Sequence, residues 1–460
     1  MTPEIWLPAA GVQQRMWLAD RLEPGAGRYV VPLAWQVDAE ISVPRLEKAL
    51  AKLVERHEIL RTSFRERDGR LYQVVGRPWL PAVEEVGGDR SRWLRTAASR
   101  PFDVTTNRLL RVSLAHRRVL LLCVHHLIWD AASIPLFFRE LDTHYAGRQA
   151  PAVVQFEEFV RAQRAMADEA EGLDYWTDFL AGAPAYPAVP PPLRTGPPGA
   201  VPVRVPDDLF DRLAAMSGVR HISWFMVLAA GLAALLHRWT GQDDVTIGVP
   251  VANRDDFPET LGPCLNTVVV RSRITAATTV RQLLDGIRDQ VLDSLEYQGT
   301  PFEAVVGALN PPRRPGWVPY ADVTLAATTA FRDDLRLGDA RLVPYALDHD
   351  DAGYAGKFGL TATFEEIDGR LRGVLMYRGD RFTTAEVRRM AGWLGRFTHS
   401  FDTALDLAVK TLDLLDVAEL AEIHRFEAGP PAPAAASVPA CQRPSTSGAP
   451  TSRTPSPSAH

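Results

Sequence analysis

Two adjacent histidines, His125 and His126, stand at the end of the apolar run VLLLCV (residues 119–124), with Asp130 just beyond them. Such a run suits a strand buried on both faces. Side chains alternate along a strand. His126 would share a face with Leu120, Leu122 and Val124, and His125 the other face with Val119, Leu121 and Cys123. The two imidazoles are therefore expected on opposite sides of one strand end. Beyond Asp130, the spacing of Ile134, Phe137, Leu141 and Tyr145 predicts a helix, with Pro135 tolerable in its first turn. A histidine just ahead of a helix N-terminus meets partial positive charge, which disfavours imidazolium and leaves the ring able to accept a proton. Proton chemistry is one reading of His126, and a satisfied core histidine is the other. Cys123 and His125 could share a metal, but no further cluster has zinc-like ligand spacing. Neighbours on one strand face do not by themselves make a Cys–His nucleophile pair.

The rest of the chain must position these groups. It has 460 residues, enough for two or three domains, and 46% of them are hydrophobic. A net charge of −5 gives no reason to expect nucleic acid or an acidic membrane surface. Only four of the 51 basic residues are lysines (Lys48, Lys52, Lys357, Lys410), and the arginines are scattered, which reads as coding bias. Three distant cysteines (Cys123, Cys264, Cys441) imply no disulfide framework and fit a reducing compartment. The N-terminus shows no secretory pattern, and the longest apolar run, residues 224–236, is too short to span a bilayer, so a cytoplasmic location is expected.

Helical spacing is read at residues 8–22, 43–56, 156–170, 173–180, 222–239, 280–298 and 384–404, and strand patterns at 245–251, 266–274, 321–328, 359–367 and 370–377. Residues 184–202 hold eight prolines and cannot form helix or central strand. They divide the chain into a first lobe (1–183), an extended connector (184–202) and a second lobe (203–425). The remaining stretch, 426–460, is dominated by Pro, Ala, Ser and Thr and is expected to be disordered. The acidic stretch DHDD (348–351) lacks the spacing of a calcium loop and reads as a solvated loop. No Gly-rich phosphate loop, GxSxG or Walker pattern occurs.

The pattern HHLIWDAAS (125–133) resembles the HHxxxDG motif of nonribosomal peptide synthetase condensation domains. QQRMW (13–17), RHEILRTSF (56–64), residues 155–163 with Tyr175-Trp176, IGVPVANR (247–254) with GPCLNT (262–267), and YQGTPFE (297–303) resemble further motifs of that family in order. Residues 313–320 look like a degraded seventh motif that keeps Arg313 and Pro319. The resemblance covers roughly residues 5 to 425. It implies an α+β fold of two chloramphenicol-acetyltransferase-like lobes in a V-shaped pseudo-dimer, with a tunnel between them. Donor and acceptor enter from opposite ends, carried on the phosphopantetheine arms of carrier proteins. The product is an amide or an ester. No intrinsic cofactor or metal is implied, and a monomer is expected.

By position, His126 matches the catalytic histidine, which would take a proton from the acceptor or orient it and stabilise the tetrahedral intermediate. His125, Asp130, Arg61 and Ala131 match site-supporting positions, with Arg61 as the candidate partner for the Asp130 carboxylate. Trp129, Ser133 and Asn266 are expected to line the substrate tunnel. Ala131 replaces the motif glycine, which would strain the backbone only if a positive φ is needed there. Cys264 stands where an aromatic residue is common, and Gly359-Leu360 where Asp-Leu is usual. The double histidine separates the chain from heterocyclisation members, and retention of His126 from recruiting, noncatalytic relatives. The expectation is a free-standing condensation enzyme that works with acyl or peptidyl carrier proteins and, in one version, a soluble small-molecule acceptor. A docking scaffold without chemistry and a coenzyme A-dependent acyltransferase are the alternatives.

Overall fold

The strand carrying His125 runs Val119–His125, and all seven of its residues are buried. It lies between Val30–Val37 and Leu110–Ala115, antiparallel to both. Alternation divides its side chains as the sequence predicts. Leu120, Leu122 and Val124 enter the main core of the first lobe with Trp35, Phe137 and Phe138. Leu121 and Cys123 face a smaller cluster with Val30, Ala34 and Leu94. In the computed structural model the described residues are 4–425 except 23–24, 26, 88–89, 107, 168, 189–195, 330–334, 346–356, 368, 414, 416–418 and 422–423. Part of the proline connector, the DHDD stretch and the expected disordered tail therefore lie outside the described residues.

Among the described residues there are two six-stranded sheets and one of three strands. The second large sheet runs in the spatial order Leu265–Arg273, Asp244–Ala252, Val323–Thr329, Leu360–Ile367, Arg370–Tyr377 and Gly199–Val203. It mixes parallel and antiparallel pairs. The helix Trp224–Thr240 packs on it and is buried continuously from Met226 to Leu236. Ser223 caps its N-terminus by accepting from Met226 N, and Gly241 ends it at φ 71°. The long apolar run is thus a core helix, and among the described residues no helix is long and apolar enough to cross a membrane. Both sheets belong to one compact unit, residues 1–414.

Two segments tie the lobes together. The first leaves the second lobe between Val323–Thr329 and Leu360–Ile367, turns at Gly338 (φ 64°), and returns as Ala340–Pro344. That strand pairs antiparallel with Val30–Val37, so Arg336–Leu337 and Ala340–Pro344 extend the sheet of the first lobe. Leu335, Leu337 and Leu342 are buried in the first lobe's core. The boundary drawn at 203–425 needs correction here, because this hairpin pairs with the opposite lobe. The second segment follows strand Asp244–Ala252 and inserts Leu261 and Cys264 into the same core, with Phe257 packed at its edge.

Leu342 is 3% exposed. Truncating such a leucine removes its transfer energy and leaves a cavity, so Leu342→Ala should cost about 2–5 kcal/mol. Denaturant unfolding reads this; a loss under about 1 kcal/mol would show that the hairpin does not pack on the first lobe.

Candidate active site

The strand stops at His125 because its own side chain starts a turn. Nδ1 of His125 accepts from Leu127 N at 3.1 Å, and a 3-10 turn runs His126–Ile128. With Nδ1 accepting, Nε2 carries the proton and donates to Asp20 Oδ2 at 3.1 Å. The turn is held from two other sides: His126 N donates to Tyr29 O at 2.8 Å, and the buried Gln13 donates from Nε2 to Leu127 O at 2.8 Å. His126 therefore projects from a fixed turn, one residue beyond the strand that the alternation placed it on. The Tyr29 ring lies between the histidines, 6.3 Å from His125 and 6.5 Å from His126, centroid to centroid.

Among the described residues neither ring nitrogen of His126 has a hydrogen bond of normal geometry. Nδ1 is buried, which leaves Nε2 to meet a substrate. Burial holds the ring well below the ordinary imidazole range, the charge of Lys357 pushes the same way, and backbone groups of His126 and Trp129 pull weakly against them. Desolvation first, and then the charge of a lysine from the other lobe, thus favour the neutral ring.

Asp130 is 6% exposed, and its partner is Arg254. Nη2 of Arg254 donates to Oδ1 at 2.7 Å and Oδ2 at 2.8 Å, and also to Gly262 O at 2.8 Å. Ser133 adds its backbone N–H at 2.9 Å and its hydroxyl at 2.8 Å to Oδ1. Burial pushes the carboxyl upward, and Arg254 and Ser133 oppose that push. The expected Arg61 partner is corrected: Arg61 donates to Gly76 O at 2.7 Å and pairs with Glu58 at 3.5 Å. It sits at the start of the first lobe's three-stranded sheet, whereas Arg254 arrives on the inserted segment.

The expected tunnel residues also need correction. Trp129 is 1% exposed and packs edge-on against Phe137 at 5.2 Å, inside the core. Ser133 is fully buried on Asp130. Asn266 donates to Gln298 O and Thr300 O and accepts from Phe302 N, so it braces the segment after the helix Val280–Glu296. Adjacency to a motif does not set side-chain direction. Ala131 is exposed and its φ is not positive, so the backbone there does not require glycine.

Among the described residues no group of three or more His, Cys, Asp or Glu could hold a metal ion. Burial pushes the Cys123 thiol to about 11, so it is no thiolate nucleophile at neutral pH. At Gly359, a Cβ would lie 2.4 Å from Asp322 Oδ2. Asp322 is 4% exposed, accepts from Val318 N at 3.1 Å, and is pushed up to about 6 by burial. The Asp322 carboxylate thus occupies the space that a side chain at position 359 would enter. Sequence reasoning missed Gln13, Tyr29, Arg254 and Lys357. Arg254 stood inside the IGVPVANR motif, and Lys357 is a rare lysine in an arginine-rich chain.

A family model for the condensation domain matches residues 6–424. The chain belongs to the condensation-domain family. It is 30% identical over 438 residues to tyrocidine synthase 2 of Brevibacillus parabrevis, covering 91% of this chain and 12% of that protein. It is 31% identical over 452 residues to the phosphinothricin tripeptide synthetase PhsB of Streptomyces viridochromogenes, covering 91% of this chain and 37% of that one. The chain therefore spans well under half the length of these curated relatives. Among solved structures, a four-domain nonribosomal peptide synthetase bound to AMP and glycine matches with a TM-score of 0.80 at 22% identity, over 90% of this chain and 34% of that one. The X-domain from teicoplanin biosynthesis matches with a TM-score of 0.79 at 22% identity, over 90% of this chain and 99% of that one. The fold is the two-lobed α+β fold of these domains.

Two stability measurements check the site. Removing either member of the Asp130–Arg254 pair strands a buried charge and should cost about 3–5 kcal/mol. In a double-mutant cycle Asp130→Ala and Arg254→Ala should couple strongly, and Asp130→Ala and Arg61→Ala should simply add; the reverse pattern would restore Arg61 as the partner. Gly359→Asp should lower the melting temperature, and adding Asp322→Ala should recover part of the loss. An additive result would show that the two positions do not share one space.

Proposed function

We propose that this chain is the condensing catalyst of nonribosomal peptide synthesis. It joins an acyl or aminoacyl group, held as a thioester on the phosphopantetheine arm of a carrier protein, to an amine or hydroxyl acceptor. The observation that carries this reading is His126: an imidazole on a fixed turn, kept neutral first by burial and then by the charge of a lysine, with no hydrogen-bond partner for its ring among the described residues. A neutral imidazole accepts a proton, and an imidazolium cannot.

In this mechanism the acceptor nitrogen or oxygen attacks the thioester carbonyl as its proton passes to Nε2 of His126. The tetrahedral intermediate collapses, the C–S bond breaks, and the proton returns from His126 to the departing thiolate. Asp130 and Arg254 touch no reacting atom in this scheme and position the turn. The buried free thiols of Cys123 and Cys264 fit a reducing cytoplasm. A second reading, a docking scaffold, draws support from a complex of the X-domain with OxyB, whose fold matches with a TM-score of 0.79 at 22% identity.

His126→Ala should reduce kcat by about 10²–10⁴-fold with an unchanged melting temperature, read by intact mass spectrometry of acyl-loaded carriers with amines and alcohols. Equal turnover by the variant would remove His126 as the base, no turnover by the wild type would favour the scaffold, and equal use of coenzyme A thioesters by the wild type would favour the coenzyme A enzyme. A depressed imidazole stays deprotonated until the pH falls to its own lowered value. The acid limb of kcat/KM should therefore lie well below the ordinary imidazole value of 6.5; a limb at or above it would remove His126 as the base.

A further inference from the structure

The turn that carries His126 is gripped by one helix at two points. In helix Gly11–Leu22, Gln13 and Asp20 stand about two turns apart and so share a face. Gln13 holds Leu127 directly, its Nε2 donating to the carbonyl oxygen at 2.8 Å. Asp20 reaches the other end of the same residue through an imidazole. Its Oδ2 accepts from Nε2 of His125 at 3.1 Å, and Nδ1 of His125 accepts from Leu127 N at 3.1 Å. His125 is 2% exposed, and the rings of Tyr29 and Phe102 lie against it at 6.3 and 6.1 Å, centroid to centroid. The middle residue of the turn His126–Ile128 is thus held by both its C=O and its N–H.

The grip on the N–H works with one tautomer of His125 only. A neutral imidazole donates from one nitrogen and accepts at the other. With the proton on Nε2, the ring offers a donor to Asp20 and a lone pair to Leu127 N. With the proton on Nδ1, two donors would face each other at Leu127 and two acceptors at Asp20. The turn would then lose the bond that begins it. A second proton on the ring would meet the same N–H. The tautomer of a histidine is set by the bond its other nitrogen makes, and here that bond goes to Asp20. The Asp20 side chain is 22% exposed. Partly exposed ionic contacts add little to stability, so the service of this one is geometric.

We propose that Asp20 is a positioning residue for the condensation reaction: by fixing His125 with its proton on Nε2 it keeps Nδ1 open to Leu127 N, and through that turn it aims His126. Asp20 touches no reacting atom. The proposal rests on the condensing function given above, in which His126 is the base.

The test uses three substitutions in the full chain. Asp20→Leu removes the acceptor at similar size, and Asp20→Asn keeps an amide oxygen that accepts from Nε2. His125→Asn puts an amide oxygen where Nδ1 stands, so it serves Leu127 N without Asp20. Turnover of acyl-loaded carriers, the melting temperature, and the tautomer of His125 by NMR of isotope-labelled histidine are read for each, the His125 signal being assigned by its loss in His125→Asn. Asp20→Leu should lower kcat by about 10- to 100-fold with the acceptor KM nearly unchanged and the chain folded. The proton of His125 should leave the Nε2 form in the same variant, and Asp20→Asn should restore most of both. In the His125→Asn background, Asp20→Leu should cost nothing further. An unchanged kcat in Asp20→Leu, an unchanged tautomer, or a loss of equal size in the His125→Asn background would overturn the proposal. If Asp20→Leu does not fold, Asp20→Ser is read in its place; failure of both to fold would make Asp20 a residue of the fold alone and overturn the proposal. If the wild type turns nothing over, the condensing function fails. The His125 tautomer and the hydrogen-exchange protection of Leu127 N–H, compared between wild type and Asp20→Leu, then still decide whether Asp20 sets the turn.

Discussion

The ion pair between Asp130 and Arg254 is the constraint on which the site depends. A carboxylate 6% exposed and a guanidinium 8% exposed are stable together only because each is almost fully bonded. Ser133 adds bonds to the carboxylate, and Thr260 O and Gly262 O accept from the terminal nitrogens of the guanidinium, whose Nε alone is without a partner among the described residues. Bonds of this kind have narrow geometry, so the pair fixes the distance between two pieces of chain. One is the turn after strand Val119–His125, and the other is the segment inserted from the second lobe. Such a pair adds little net stability over an apolar contact, but losing half of it is severe. Its service is registration: the lobes cannot slide without leaving a charge unpaired.

Registration matters because the electrostatic environment of His126 is assembled from both lobes. The first lobe supplies the ring and turn, and the backbone bonds to Tyr29 and Gln13 aim it. The second supplies the positive charge of Lys357. Desolvation and a nearby cation act in the same direction on an imidazole, so both favour the base form. The partial charge at the start of helix Ser133–Tyr145 is not needed for this. A small shift between the lobes would weaken one contribution and leave the other, which makes the electrostatics of the ring a sensitive reporter of lobe geometry.

The parts legible in the sequence are those set by local period and by motif order. Alternation in residues 119–124 divides Leu120, Leu122 and Val124 from Leu121 and Cys123, as the structure does. The apolar run over 224–236 reads as a buried helix and is one. What the sequence hides are long-range pairings. In an arginine-rich chain, nothing local distinguishes Arg254 from Arg61 as a mate for Asp130, since the choice is made by where the inserted segment lands. Trp129, Ser133 and Asn266 sit in motifs, yet their side chains turn into the core or onto backbone, and spacing does not encode that. The hairpin around Gly338 has a hairpin's chemistry, with leucines at 335, 337 and 342 flanking a Gly-Asp turn. Its attachment to the first lobe is invisible locally, because the partner strand Val30–Val37 lies far back in the chain.

The identity of residue 357 bears on the same point. Elsewhere this chain writes arginine where a basic surface residue is wanted, and its remaining lysines are exposed. An arginine at 357 would bring a planar fork of five donors, and it would stay charged at every working pH. A lysine brings a compact charge on a flexible stem, and burial lowers it to about 8. The lysine is therefore the cation whose charge can yield to its surroundings while it acts on the ring of His126. Its flexible stem contrasts with the fixed pair of Asp130 and Arg254, which holds the turn that carries the ring.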